Sequence, residues 1–259
     1  MIKITYLKDS NFVILCPSRS GSTMLVHLLR SHPQIWCNGE IFLNDNKVGA
    51  LAGEYRKKIL NNKLLLKKLE NELERDIVKF TYKYAFDPQG KDLAGFKFKI
   101  DEYFIDEFRN IKNIIHQDTD LKILFLTRRN LLERYISWYV ANYISKKTII
   151  TDKKAIPELP QINIPTQKCL ENFHTILSLQ KRVRDELDNH RVLEVFYEDL
   201  IEAPHQEHSK ICAFLDVKQK KLHTPTQKII TKSMEKLIGN YLELKNFFQY
   251  TEFAYLFEE

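Results

Sequence analysis

Apolar residues along this chain fall into short dense runs separated by longer stretches in which apolar and charged positions recur with helical spacing. Residues 12–16, 121–126 and 191–196 form such runs, the length of strands covered on both faces. Residues 94–100 alternate instead, so Lys97 and Lys99 share one face of a strand, because strand side chains repeat every two residues. Residues 35–37 read as another short strand, and residues 2–7 as a small edge strand. Helical spacing follows the first run: Leu25, Leu28 and Leu29 line one side, and Pro33 stops the helix. Leu64, Leu65, Leu69, Leu73 and Ile77, with charges between them, predict one or two surface helices over about 54–86, broken near Asn61 and Asn62 and ended by Asp87 and Pro88. Further helices are predicted over 101–113, 131–144, 169–187 and 205–215. Residues 146–166, with Pro157, Pro160 and Pro165, read as a long loop, which in a compact domain is usually functional or mobile.

Length and composition narrow this. A chain of 259 residues, 44% hydrophobic, suits one α/β domain with an inserted helical segment. The apolar runs are too short to span a membrane, and residues 1–10 lack the layout of a signal peptide, so the expectation is a cytoplasmic protein without stable membrane insertion. Its 4 cysteines, Cys16, Cys37, Cys169 and Cys212, show no C-x-x-C spacing and read as buried thiols. His205 and His208 lack a third ligand, so no metal site is expected. The net charge of +6 suits an anionic ligand, whereas a nucleic-acid partner would call for a denser basic stripe.

Chemistry concentrates where the first strand meets the first helix. Residues 17–23 read PSRSGST, a small-residue turn. Strand, turn and helix N-terminus together make a phosphate cradle, since free N–H groups and the helix dipole point into the turn. The nucleotide-hydrolase version, G-x-x-x-x-G-K-[ST], is absent: Ser22 and Thr23 follow Gly21, and the cation is Arg19, whose planar fork suits a phosphate or sulfate. An ordinary strand-turn-helix with a serine cap would look the same.

The stretch PSRSGSTML, from Pro17 to Leu25, resembles the phosphosulfate loop of sulfotransferases that use 3′-phosphoadenosine 5′-phosphosulfate (PAPS), closest to the bacterial carbohydrate-type branch. A second site agrees in order. In that family an arginine ends a buried strand and a serine follows eight residues later, together holding the 3′-phosphate of PAPS. Here Arg129 and Ser137 have that spacing, and Arg128 has Ile136 at the matching distance. The resemblance implies an α/β, P-loop-like three-layer fold with a central parallel sheet flanked by helices, as a single domain over 1–259. It implies PAPS as co-substrate, bound by Ser18, Arg19, Ser20, Gly21, Ser22, Thr23, Arg129 and Ser137, with no metal. It implies an acceptor hydroxyl on a small molecule or saccharide, a carbohydrate or glycolipid, and the length of the loop at 146–166 suggests that it lies over the acceptor site.

Three further residues come with the resemblance. Glu40, in NGEIF, stands where the family has an acidic residue that serves as candidate catalytic base, just beyond a strand end. Lys97 matches a basic residue close to the transferring sulfonate, and Arg19 would steady the leaving group. YEDL, residues 197–200, recurs in the family and reads as structural. The family's C-terminal basic loop is missing, leaving Lys228 or Lys232 as substitutes. Two other functions stay open at this point: a P-loop-like small-molecule kinase, which needs a loop lysine this chain lacks, and a non-catalytic nucleotide-binding protein.

Overall fold

The computed structural model describes residues 11–43, 47–48, 62–145 and 149–258. The edge strand expected over 2–7 and the first part of the insertion at 54–86 lie outside them. Strand β1 (Phe12–Cys16) is wholly buried and leads through residues 17–21 into helix α1 (Ser22–Ser31). Strand β2 (Ile35–Glu40) follows, then a two-residue antiparallel pair, β3 (Phe42–Leu43) with β4 (Lys47–Val48). The described part of the insertion is helix α2 (Lys63–Arg75), a short helix α3 (Ile77–Phe80) and a π-helical turn, Thr81–Ala85. Asn62 starts α2 by accepting the Leu65 N–H at 3.0 Å, which is where the sequence placed a break.

Strand β5 (Leu93–Lys99) precedes helix α4 (Arg109–Gln117), and strand β6 (Lys122–Thr127) precedes helix α5 (Leu131–Tyr139). The long helix α6 (Thr166–Glu186) leads to strand β7 (Val192–Phe196), then α7 (Tyr197–Glu202), α8 (Pro204–Phe214), α9 (Met234–Leu237) and α10 (Tyr241–Phe248). The helix expected over 101–113 starts late. Residues 100–104 must first turn, burying Ile100 and Tyr103, before α4 begins.

The main sheet is five-stranded and parallel, in the order β2-β5-β1-β6-β7. Alternation sorts its two faces. Val13, Leu15, Phe96, Phe98, Ile123 and Phe125 pack with α2, α4 and the end of α6. Phe12, Ile14, Cys16, Leu124, Leu126 and Val195 pack with α1 and α8 on the other side. The connection from β1 to β2 therefore crosses one face, and the connection from β6 to β7 crosses the other. Where two such connections diverge, a crevice opens at the carboxyl ends of the strands, here between β1 and β6.

Leu69, Leu73, Phe80 and Tyr84 are buried, so the described part of the insertion covers one face of the sheet. The described residues of the 146–166 loop are stitched to the C-terminal segment. Ile162 N–H donates to Leu237 O at 2.9 Å, Gly239 N–H to Ile162 O at 2.8 Å, and Ile164 N–H to Asn240 Oδ1 at 2.9 Å. No helix among the described residues is long and apolar enough to cross a membrane.

Candidate active site

The loop after β1 is shaped by two left-handed residues, Arg19 (φ 66°) and Gly21 (φ 85°). Gly21 has a second reason to be glycine: a Cβ there would come within 2.3 Å of the Tyr197 ring. Gly21 is also the cap of α1 and gives no side-chain cap, so the serine cap weighed from the sequence is not used. Helical hydrogen bonding starts with Met24 N–H and Leu25 N–H donating to Gly21 O, at 2.9 and 3.2 Å. The N–H groups ahead of Met24 have no acceptor within the helix, the condition under which a helix N-terminus attracts an anion.

Two of the loop hydroxyls have other work. Ser18 gives its N–H and its hydroxyl to Asp101, at 2.8 and 3.2 Å. Ser20 Oγ donates to Pro17 O at 2.8 Å. These serines shape the loop from within. Arg19 leads across the mouth instead, its Nε donating to Ser137 Oγ on α5 at 3.1 Å. Burial lowers the pKa of the Arg19 guanidinium, Arg128 lowers it further, and Glu40 opposes both. Arg19 and Ser137 thus meet between the ends of β1 and β6, and Arg128 and Glu40 lie near enough to act on the Arg19 charge.

The turn after β6 separates the two arginines of RRN. Arg128 points inward and is buried, with its guanidinium 4.5 Å above the Tyr197 ring centre, ion-paired to Glu133 and 3.7 Å from Glu198. Arg129 points outward and is half exposed. It lies 3.9 Å above the Phe196 ring and forks onto Asp199, with Nη1 on Oδ1 and Nη2 on Oδ2, the latter at 2.9 Å. The Glu198 carboxylate accepts the N–H groups of Arg129 and Asn130, at 3.1 and 3.2 Å, and Asn130 caps α5 through Glu133 N–H at 2.8 Å. The expected pairing of Arg129 with Ser137 is therefore not assembled: Ser137 meets Arg19, and Arg129 meets Asp199. YEDL, expected to fix the last strand to the following helix, contacts this turn through Glu198 and Asp199. The complementary charges of RRN and YED were the signal available for that contact.

At the end of β2 the pairing register shifts between Cys37 and Glu40, which sets Glu40 opposite Lys97. Lys97 Nζ lies 2.5 Å from Glu40 Oε1, and Lys99 Nζ 3.5 Å from Glu40 Oε2 and 2.6 Å from Glu102. The shared face expected for the two lysines is observed, on a strand inside the sheet. Burial raises the pKa of Glu40, but Lys97 and Lys99 outweigh it and hold the carboxyl below its ordinary range. Glu102 shifts the other way, raised by burial that Lys99 does not offset. Lys228 reaches Glu133 at 3.3 Å, while Lys232 is spent on Leu159 O at 2.6 Å. All four cysteines are buried and free. Among the described residues no group of His, Cys, Asp or Glu could hold a metal ion.

The model of the sulfotransferase family matches residues 11–221, most of the chain, and the protein belongs to that family. It is a PAPS-dependent sulfotransferase, which sets aside the kinase alternative. Nodulation protein H of Rhizobium tropici is 25% identical over 249 residues, covering 95% of this chain and 92% of that protein. Among solved structures, the sulfotransferase domain from the curacin biosynthetic pathway shares the fold, with a TM-score of 0.51 at 15% identity over 90% of this chain and 86% of that one. A sulfotransferase from Alicyclobacillus acidocaldarius aligns with a TM-score of 0.47 at 17% identity, over 93% and 92%.

Proposed function

We propose that this enzyme moves the sulfonate of PAPS to a hydroxyl of a carbohydrate or glycolipid, with Glu40 as general base. The supporting observation is the crevice in which Arg19 meets Ser137 and shares an electrostatic neighbourhood with Glu40, itself held by Lys97. Glu40 takes the acceptor's proton, the acceptor oxygen bonds to sulfur, and the bond from sulfur to the phosphate oxygen breaks. Adenosine 3′,5′-bisphosphate leaves with the added negative charge. In this reading Arg19 and the N–H groups at the start of α1 stabilise that charge, and Lys97 sits beside the moving sulfonate. The carbohydrate acceptor rests on the likeness of PSRSGST to the carbohydrate-type loop, and a panel of saccharide and phenolic acceptors with labelled PAPS tests it. Transfer to phenols alone would overturn it.

Ser137 and Arg129 serve the 3′-phosphate in this proposal, which requires Arg129 to exchange Asp199 for phosphate. The exchange is cheap. An exposed ion pair is worth about 0–1 kcal/mol, and Arg129 is half exposed. A charge-assisted contact to phosphate contributes about 1.5–3 kcal/mol. Adenosine 3′,5′-bisphosphate should therefore bind about ten to a hundred times more tightly than AMP. Arg129→Ala should erase that preference, and Arg128→Ala should weaken both nucleotides together. Calorimetry decides this, and equal affinities in the wild type would remove the 3′-phosphate assignment.

A pH profile tests the base. A carboxylate whose folded pKa is depressed stays ionised down to that lowered value and loses its charge only below it. The acid limb of kcat/KM, which reports the free enzyme, should then fall below the ordinary glutamate value of about 4.3. A limb near about pH 6 that disappears in Glu40→Gln would contradict the arrangement with Lys97 and Lys99.

A further inference from the structure

Beneath the loop lies a layer that the chemistry above does not use. Arg134 stands on α5 one turn before Ser137 and is 1% exposed. Its Nη1 donates to Ser18 O at 3.1 Å, and its Nη2 donates to Asn172 Oδ1 on α6. Its Nε is buried without a hydrogen-bond partner among the described residues. Asp101 in turn accepts the N–H and hydroxyl of Ser18. Ser18 is thus gripped at both backbone groups by side chains far away in sequence.

The grip has a direction. In a trans peptide the C=O and the following N–H point opposite ways. Drawing the Ser18 carbonyl down onto Arg134 therefore turns the Arg19 N–H away from Arg134, towards the mouth of the loop. The left-handed φ of Arg19 then carries its side chain across to Ser137. Charge matters as well. A carboxylate under an anion cradle repels the ligand, and the buried guanidinium beside Asp101 offsets it. Arg134 is costly to keep there: burial draws its pKa down to about 10, with Asp101 opposing the shift and Arg128 adding to it. An apolar side chain would fill the same space without that desolvation cost.

We infer that Arg134 is a positioning residue for sulfonate transfer, holding the Ser18 carbonyl inward so that the Arg19 N–H faces the phosphosulfate of the donor. This role rests on the donor assignment above. Arg134 itself touches neither donor nor acceptor, and Asp101 and Asn172 complete the hold.

The test compares Arg134→Lys, Arg134→Met and Asn172→Ala with wild type by kcat and by KM for donor and acceptor, per folded molecule, with thermal stability measured in parallel. Arg134→Lys keeps the charge and loses the two-point grip. It should lower kcat by roughly 10–10²-fold and raise the donor KM while the acceptor KM stays put. Asn172→Ala should move the same two quantities by less. If Arg134→Met does not fold, those two variants decide. Loss of stability with wild-type kcat and donor KM in the folded enzyme would make Arg134 merely structural and overturn the inference. Calorimetry with adenosine 3′,5′-bisphosphate separates the two claims. Binding by wild type with unchanged variants overturns the positioning role alone, and no binding by wild type overturns the donor assignment together with it.

Discussion

Glu40→Gln is expected to lower sulfonate transfer by about 10²–10⁴-fold, the usual worth of a positioned general base. At about 1.36 kcal/mol per decade this is about 3–5 kcal/mol of barrier. The substitution keeps the size of the side chain and removes only its capacity to accept the proton. Binding of adenosine 3′,5′-bisphosphate should hold or improve slightly, because a neutral amide no longer offsets the charge of Lys97 and Lys99, which sit at 2.5 and 3.5 Å from the carboxylate. That opposition between turnover and binding is the useful signature. Initial rates with labelled donor, alongside calorimetry, measure both. Normal turnover would move the base elsewhere, to a histidine or Lys97. Loss of the nucleotide would instead make Glu40 a structural partner of the strand carrying Lys97.

Arg19→Ala should reduce kcat by about 10²–10³-fold, the cost of removing one preorganised donor from a site of developing negative charge. It should also weaken adenosine 3′,5′-bisphosphate by about 1.5–3 kcal/mol, since the same cation faces charge in the bound nucleotide. The two effects go together because Arg19 is shared. It bonds Ser137, proposed above to serve the 3′-phosphate, and it belongs to the loop proposed to cradle the phosphosulfate. Removing it also relieves its repulsion with Arg128, so measured losses at the lower end of these ranges are expected. Arg19→Lys should recover binding better than kcat, because a lysine restores the charge without the fork. Full activity of Arg19→Ala with labelled donor would show that the loop holds something other than the sulfonate end of PAPS.

Much of this enzyme is written locally in its chain. The dense runs at 12–16 and 121–126 become buried strands because a strand covered on both faces has no polar side to show. A period of two was enough to put Lys97 and Lys99 together, and small residues ending in Gly21 were enough to predict the turn into α1. Such signals reach only a few residues along the backbone, the range over which strand and helix periods and turn chemistry operate.

The remainder depends on partners distant in sequence. Arg128 and Arg129 are neighbours on one turn, and nothing local says which of them points inward. Glu133, Tyr197, Glu198 and Asp199 decide it, the last of these from 70 residues away. Ser18 was assigned to the donor by its place in the motif, but Asp101 takes both its donors from 83 residues away, and Arg134 takes its carbonyl from 116. The helix expected at 101 starts at Arg109, after a turn that buries Ile100 and Tyr103. The chain by itself determined the strands, the loop and the kinds of side chain at the site. Which of those side chains meet one another, and which hold the loop, only the tertiary structure decided, because a polar group turns towards whichever partner satisfies its buried hydrogen bonds and charge.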